Sequence, residues 1–313
     1  MLDLRSSPLR NLINCLRDYV FYKRISCFAK DEWVIISTYG IGDTYFVCAF
    51  AEQILKHHGG RSASVIVKRE HADIPKLFTN VLKKSIVLGS FNWRVLNKLD
   101  RFGPGKPFIG HPHYLNRKDL YERMGLEGCT VLDLYRSIFS LPPSSPITKP
   151  VIDQTTINSA KKRFEHMKLP KGKTIILAPE ANSFPTFPME FWFQLSQALK
   201  KKGWHVCTNM ANGSIPIPET RPFYFPLNEA IPVAELAGFV VSFRSGFCDL
   251  ISSAKCKLVV VYPKTTYSAG TYFTSFSLRK MGLSESLDEY EPDANESRHS
   301  FISRIANGIP SVN

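Results

Sequence analysis

Two short stretches of this sequence combine residue types that can do chemistry. In the first, Gly40-Ile41-Gly42-Asp43, a carboxylate directly follows two closely spaced glycines and precedes an amphipathic helix predicted from Thr44. Glycines let a bound group approach the backbone closely, so Asp43 can act as a general base that removes a proton from an acceptor. The alternative is structural, because a carboxylate at a helix N-cap stabilises the helix by about 1 kcal/mol.

The second stretch, Arg244-Ser245-Gly246, lies between a buried apolar run (239–243) and an apolar helix predicted over 247–254. In a turn from a strand into a helix, backbone N–H groups can point at an anion, and an arginine adds a fixed positive charge. This turn is therefore predicted to bind an anion. The alternative for Arg244 is a structural ion pair.

Further polar residues follow other predicted buried strands of the second half. Glu180, Asn182 and Ser183 come after the strand Thr174–Ala178, and Lys264 and Thr265 come after a strand over 258–262. Carboxyl ends of parallel strands meet at one edge of a sheet, so these side chains can contact the same ligand. Capping of their own loops is an equally good interpretation for the first three.

The segment FIGHPHYL holds His111 and His113 in a stretch with a loop-like composition. These histidines can line a cleft for the acceptor, or they can belong to a polar surface turn. No cysteine or carboxylate lies near them in the sequence, so no metal site is predicted.

The elements that must position these residues form two α/β halves. Buried strands are predicted at Val34–Ser37, Ser62–Lys68, 86–88, Thr174–Ala178, 205–208, 239–243 and 258–262, and helices include one over 71–84. The proline- and serine-rich segment LPPSSPITKP, residues 141–150, is predicted to be the linker. The predicted domains are 1–145 and 146–313, with the terminal helix free to cross back to the first.

Composition limits the function classes. The chain has 313 residues and a formal net charge of +13, which implies an anionic partner: nucleic acid, a membrane surface or a phosphorylated substrate. Nucleic-acid binding is disfavoured because the basic residues are dispersed and no binding motif occurs. The seven cysteines form no CxxC pattern, which favours reduced thiols in a cytoplasmic protein. Neither an apolar run of membrane-spanning length nor a signal peptide is evident.

The first thirty residues alternate basic and apolar side chains at near-helical spacing. Leucine, isoleucine, valine and phenylalanine recur between Leu9 and Phe21, among arginines and lysines. This pattern is typical of an amphipathic helix, which can lie on an anionic membrane. Packing of the helix on the first domain is the simpler interpretation.

Three segments together resemble a known family. They are IISTYGIGDTYFVCAFAEQILKHHG, TIILAPEANSFPTFPMEFWFQLSQALKKKGWHVCTN and VAELAGFVVSFRSGFCDLISSAKCKLVVVYP. In this order they resemble glycosyltransferases of the GT-B fold, in particular the family 9, heptosyltransferase-like enzymes of bacterial envelope synthesis. The third segment is similar to that family's "DSG..HlAaa" signature.

The resemblance implies a GT-B fold, in which two Rossmann-like domains with parallel sheets face each other across a cleft. It implies an inverting, metal-independent transfer of a sugar from a nucleotide-sugar donor, without a cofactor. The acceptor would be an anionic glycan or glycolipid of the lipopolysaccharide or capsule type, at the inner face of the membrane. The family's catalytic aspartate corresponds to Asp43, with Gly40 and Gly42 on the acceptor side. Ser245, Gly246 and the helix start after them would hold the leaving diphosphate.

The sequence also departs from the family pattern. Arg244 stands where the family has an aspartate before Ser-Gly, and Asp249 lies in the region of the family's histidine. The basic residue often found before "WP" is absent, and PTFP stands there instead. These departures keep a second interpretation open, in which the chain is a catalytically inactive GT-B module that binds or scaffolds.

Overall fold

The computed structural model describes residues 8–99, 102–111, 122, 124–181, 184–210 and 214–312. Three of the predicted site residues, His113, Asn182 and Ser183, lie outside this part of the chain. The helices are α1 Pro8–Ile25, α2 Ile41–His58, α3 Trp93–Leu96, α4 Val131–Ile138, α5 Gln154–His166, α6 Met189–Lys201, α7 Ala230–Ala237, α8 Gly246–Ile251, α9 Tyr272–Phe276 and α10 Arg298–Asn307.

Twelve strands are assigned within the described residues. They are β1 Glu32–Ser37, β2 Ser62–Lys68, β3 Leu82–Leu88, β4 Pro107–Ile109, β5 Thr174–Ala178, β6 His205–Asn209, β7 Arg221–Phe223, β8 Gly238–Phe243, β9 Lys257–Val261, β10 Thr266–Tyr267, β11 Gly270–Thr271 and β12 Leu287–Tyr290. None of the helices in the described ranges is both long and apolar enough to cross a bilayer.

The first sheet has the strand order β3-β2-β1-β4, and all its neighbouring strands are parallel. The chain moves outward from β1 to β3 and then returns to place β4 on the other side of β1. Open parallel sheets bind ligands at such a reversal, beyond the carboxyl ends of the strands that flank it. In this sheet the reversal lies between β1 and β4, beside the start of α2, which carries Asp43, and the segment after β4, which carries His111.

The second sheet repeats this arrangement with six parallel strands in the order β12-β9-β8-β5-β6-β7. Its reversal lies between β5 and β8, and the turn after β8 holds Ser245, directly before α8 begins at Gly246. Strand β5 is buried along its whole length and β9 from Leu258 to Val261, because helices cover both faces, which explains their continuous apolar sequences. Helix α10 packs against α6 and thus stays with the second sheet.

The proline-rich segment after α4 has no regular secondary structure and is bound to the first half. The Thr148 N–H donates to the Ala49 carbonyl at 2.8 Å, and the Val151 N–H donates to the Leu77 carbonyl at 2.8 Å. These bonds explain how a segment rich in proline follows one path over the first half. The domain boundary placed in it stays a prediction.

Some predicted elements differ from the structure. The helix predicted over 71–84 is wrong: the segment forms two short 3-10 turns, Arg69–His71 and Ile74–Phe78, before β3 begins at Leu82. Three consecutive polar residues, Lys83, Lys84 and Ser85, interrupt the apolar pattern of β3, and they are exposed. The strand β4 was missed because its three residues belong to a segment with loop-like composition.

Candidate functional site

Asp43 lies in the first turn of α2 and not at its N-cap, where the sequence placed it. The helix begins at Ile41, and Gly40 is the N-cap with an extended backbone. The Asp43 carboxylate reaches back, and its Oδ2 accepts the Gly40 N–H at 2.7 Å. The structural role inferred from the sequence is therefore present, but it occupies only one of the two carboxylate oxygens.

The other oxygen of Asp43 faces two polar groups of the first half. Tyr135 Oη donates to Asp43 Oδ1 at 2.5 Å, and His111 Nε2 lies 3.7 Å from the same atom. Burial, followed by the neighbouring Asp43 charge, raises the pKa of Tyr135 well above its ordinary value. The phenol therefore remains a proton donor to the carboxylate. The Asp43 side chain keeps 27% of its surface exposed, so an acceptor can still reach it.

Tyr135 is a site residue that sequence reasoning missed. It lies in α4, whose apolar residues indicate an ordinary core helix. Only the fold brings it next to Asp43, 92 positions earlier in the chain. No local pattern around Tyr135 could have identified this contact.

His111, one of the predicted acceptor-side residues, lies just beyond the carboxyl end of β4. Its ring stacks on Tyr39 with centroids 3.6 Å apart, and Tyr39 in turn contacts Trp93 edge-on at 6.4 Å. Tyr39 belongs to the loop between β1 and Asp43, so the stack joins both loops at the reversal of the first sheet. The structure therefore brings His111 and Asp43 together.

The loop before Asp43 touches the Arg244-Ser245-Gly246 turn directly. A Cβ atom on Gly246 would lie 2.2 Å from the Gly42 backbone nitrogen and 3.0 Å from its Cα. A Cβ on Gly42 would lie 2.6 Å from Asp249 Oδ2. The two reversal points thus face each other, but the gap expected between them is closed here, and any ligand must lie beside this contact.

We expect Gly246→Ala to be strongly destabilising, because the new methyl group would overlap backbone atoms that no side-chain rotation can move. The expected cost is about 3 kcal/mol in the free energy of unfolding, measured by denaturant titration. Gly89→Ala is the matched control, since its Cβ would lie 3.4 Å from the flexible end of Arg69. Equal unfolding midpoints for the two variants would contradict the close contact.

Ser245 is the N-cap residue of α8 and makes no side-chain bond to the helix. Its hydroxyl oxygen is buried and has no hydrogen-bond partner within the described residues, and the same holds for Thr38 Oγ1 at the end of β1. Buried hydroxyls are normally paired, and an unpaired one calls for an explanation. Of the seven buried side-chain atoms without a partner in the described residues, these two lie at the facing reversal points of the two sheets.

Arg244 does not lie on an anion-binding surface, as the sequence predicted, but in the interior of the protein. Its side chain is only 2% exposed, and the guanidinium forms a fork with Asp249, at 2.6 and 3.1 Å to the two carboxylate oxygens. It also donates to the carbonyls of Phe276 and Ser245. Burial raises the pKa of Asp249 to about 6, although Arg244 acts in the opposite direction. This geometry favours the structural ion pair over contact with a donor phosphate.

The remaining predicted donor residues lie at the same edge of the second sheet. Glu180 follows β5 and is exposed, and Lys264 follows β9 and is exposed. Thr265 precedes the β10–β11 hairpin, and its carbonyl accepts the Tyr272 N–H at 2.9 Å. Because β5, β8 and β9 are neighbours, all three residues share an edge with Ser245. Their contact with a donor stays a prediction.

Metal ligands and cysteines contribute little to this site. Within the described ranges, no group of three or more histidine, cysteine, aspartate or glutamate side chains is arranged to hold a metal ion. All seven cysteines are free thiols. Cys248 is buried beneath the Ser245 turn, where its thiol contacts Ser242 Oγ at 3.3 Å, as expected of a small core residue.

Comparison with known proteins gives matches in structure only. No protein-family model and no curated protein sequence matches the chain. The glycosyl transferase family 9 protein from Veillonella parvula DSM 2008 has a TM-score of 0.56 at 14% identity, over 88% of this chain and 92% of that one. The E. coli ADP-heptose lps heptosyltransferase II has a TM-score of 0.59 at 9% identity, over 88% and 99% of the two chains.

A third similar structure is E. coli heptosyltransferase WaaC with ADP-2-deoxy-2-fluoro heptose. Its TM-score is 0.53 at 13% identity, over 89% of this chain and the whole of that one. At such identities the similarity establishes the fold. Two parallel sheets whose reversal points face each other, together with these matches, confirm the predicted GT-B fold and its resemblance to the family 9 glycosyltransferases.

Proposed function

We propose that this protein is an inverting glycosyltransferase that moves a sugar from a nucleotide-sugar donor to a hydroxyl of a bacterial surface glycan or glycolipid. The observation that carries the proposal is the contact between the Asp43 loop and the Ser245-Gly246 turn. It joins an accessible, oriented carboxylate to an unpaired buried hydroxyl at a helix start. A base on one side and an anion-binding group on the other are what sugar transfer needs.

In the proposed reaction the acceptor hydroxyl gives its proton to Asp43 as its oxygen bonds to the anomeric carbon of the donor. The bond between that carbon and the diphosphate oxygen breaks, and the diphosphate leaves with the electron pair. Attack from the side opposite the leaving group inverts the anomeric configuration. Tyr135 and the Gly40 N–H orient the carboxylate, so that the accessible part of Asp43 faces the acceptor.

The leaving diphosphate develops negative charge that needs donors on the second half. The Ser245 hydroxyl and the ammonium of Lys264 lie at the correct edge of the second sheet for this role. Neither requires a metal ion, so the proposal includes no cofactor. The solved structure of WaaC contains an ADP sugar analogue, which supports a nucleoside diphosphate sugar as the class of donor.

A screen of nucleotides and nucleotide sugars tests the proposal. At one hundred times the dissociation constant, the correct donor should stabilise the protein by about 2.7 kcal/mol in a thermal shift assay. Adding an envelope glycolipid should then release nucleoside diphosphate, at the same rate with and without a metal chelator. Stabilisation by random DNA, with affinity that falls steeply as salt rises, would instead support a nucleic-acid-binding protein.

The burial of Arg244 in an ion pair, which keeps its charge away from a donor, favours one alternative, a GT-B module that binds a nucleotide sugar without transferring it. The same screen separates the two functions. Stabilisation by a nucleotide sugar with no turnover on any glycolipid would support the inactive module and contradict the transferase.

A further inference from the structure

Helix α1 packs on the protein through one narrow stripe. Between residues 10 and 25 its half-buried or buried residues are Asn14, Asp18, Phe21 and Ile25, which recur at intervals of four and three and so form a single face. Asp18 bonds to Asn92 and lies 3.1 Å from Arg94 at the start of α3. Ile25 is fully buried with residues of β1. These contacts fix the orientation of the helix.

The opposite face of α1 is exposed, and it is apolar from Leu12 to Val20, after which Lys23 lies on the same face with its ammonium over the Tyr19 ring. Leu12, Ile13, Leu16, Tyr19 and Val20 each keep between 49% and 63% of their surface accessible. They are neighbours on the helix surface over more than two turns and form one continuous patch. Single exposed apolar residues are common, but a continuous patch of this kind marks an interaction surface.

Basic residues border this patch. Arg10, Arg17 and Arg24 are seven residues apart and therefore lie in one row, beside the edge formed by Ile13 and Val20. Asp18 is the single acidic residue of α1, and Arg94 pairs with it. A second copy of this face would offer the arginine row no acidic partner, because Asp18 lies on the packed side and pairs with Arg94. An anionic lipid surface complements both the apolar patch and the row.

The contacts of α1 lead directly to the candidate site. Trp93 begins α3, next to the residues that bind Asp18, and its side chain is 45% exposed. It contacts Tyr39, which stacks on His111, and His111 Nε2 lies 3.7 Å from Asp43. The packed face of α1 is thus connected through α3 to the end of the first sheet that carries Asp43. Tryptophan is a residue favoured at membrane interfaces.

From these observations we propose that α1 lies in the interface of a lipid bilayer that contains anionic lipids, with its apolar patch among the acyl chains and its arginine row at the headgroups. Membrane binding itself is independent of the transfer reaction. Membrane binding would hold the Asp43 side of the site close to a membrane-linked acceptor. This second part of the proposal rests on the proposed function.

The test is co-sedimentation of the full chain with vesicles of phosphatidylcholine alone or with about one third phosphatidylglycerol. The wild type should bind the anionic vesicles and bind the neutral ones much more weakly. The variant Leu12→Gln/Leu16→Gln/Val20→Gln should lose at least about tenfold in partitioning, because its patch no longer enters the acyl region. The variant Arg10→Gln/Arg17→Gln/Arg24→Gln should lose at least about tenfold on anionic vesicles only.

The matched control removes exposed apolar surface elsewhere. Val151→Gln/Ile215→Gln/Tyr224→Gln changes residues that are 49%, 73% and 53% exposed, and it should bind vesicles like the wild type. Equal binding by the wild type and the α1 apolar variant would overturn the proposal. So would a dimer in sedimentation equilibrium that the apolar variant abolishes, since a second copy would then cover the patch. The assay contains no donor or acceptor, so its failure leaves the nucleotide screen unaffected.

Discussion

Replacing Asp43 with asparagine is expected to lower the turnover of sugar transfer by about 10²–10⁴-fold, the usual contribution of a general base. The amide keeps an oxygen for the Gly40 N–H or for Tyr135, but it cannot take up the acceptor proton. The substitution should therefore cost no more than about 1 kcal/mol of stability, the value of a helix cap. Turnover is followed by release of nucleoside diphosphate.

The chain offers a close structural control for this substitution. Asp133 occupies the same position in the first turn of α4, where its carboxylate accepts the Thr130 N–H at 2.9 Å. Asp133→Asn should lose similar stability and keep its turnover. If both variants lost activity equally, or if Asp43→Asn retained normal turnover, Asp43 would be a helix cap only and another group would be the base.

The second large effect is expected at the buried ion pair. Arg244→Ala should cost about 3–5 kcal/mol in the free energy of unfolding, because it leaves Asp249 buried without a counter-charge. Replacing both residues with leucine should cost much less than either single change. A double-mutant cycle, measured by denaturant unfolding, gives the coupling between the two positions.

Nucleotide affinity provides the functional half of this test. The Arg244 guanidinium is engaged with Asp249 and two carbonyls, so a folded double variant should bind the donor nearly as well as the wild type. Additive effects on stability, combined with a large loss of nucleotide affinity, would show that Arg244 contacts the donor after all. That result would restore the role predicted from the sequence.

This ion pair also accounts for two of the positions at which the sequence departs from the family signature. Arg244 replaces an aspartate, and Asp249, three residues after Gly246, occupies the place of the signature's histidine. The structure joins these two positions in one contact. The two departures are therefore coupled, because each residue supplies the counter-charge of the other. They are weaker support for an inactive module than two unrelated losses would be.

The sequence predicted the fold best where its residues are uniformly buried. Strands such as Ser62–Lys68 and Thr174–Ala178 were located to the residue, because parallel strands covered on both faces are continuous apolar runs. The start of β3 was not located, because its exposed lysines interrupt the apolar run. Short edge elements such as Arg221–Phe223 were also missed, because three residues carry too little periodicity to recognise.

At the site, local patterns located loops but not the contacts between them. The glycine-aspartate loop and the Ser245-Gly246 turn were found from their own residues. The Tyr135 bond and the contact between Gly42 and Gly246 depend on how distant segments pack, which no local spacing encodes. The burial of Arg244 was missed for the same reason, because it depends on bonds to Asp249 and to the carbonyl of Phe276 in α9.

The central claim is that the donor diphosphate binds beside the contact of the two reversal points, between Ser245 and Asp43. A crystal structure with a nucleoside diphosphate bound tests this most directly. We expect a phosphate oxygen within about 3 Å of Ser245 Oγ, a hydrogen-bonding distance, on the side that faces the Asp43 carboxylate. A diphosphate seated away from the carboxyl ends of β5 and β8, with the Ser245 hydroxyl still unpaired, would contradict the proposed site and the reaction built on it.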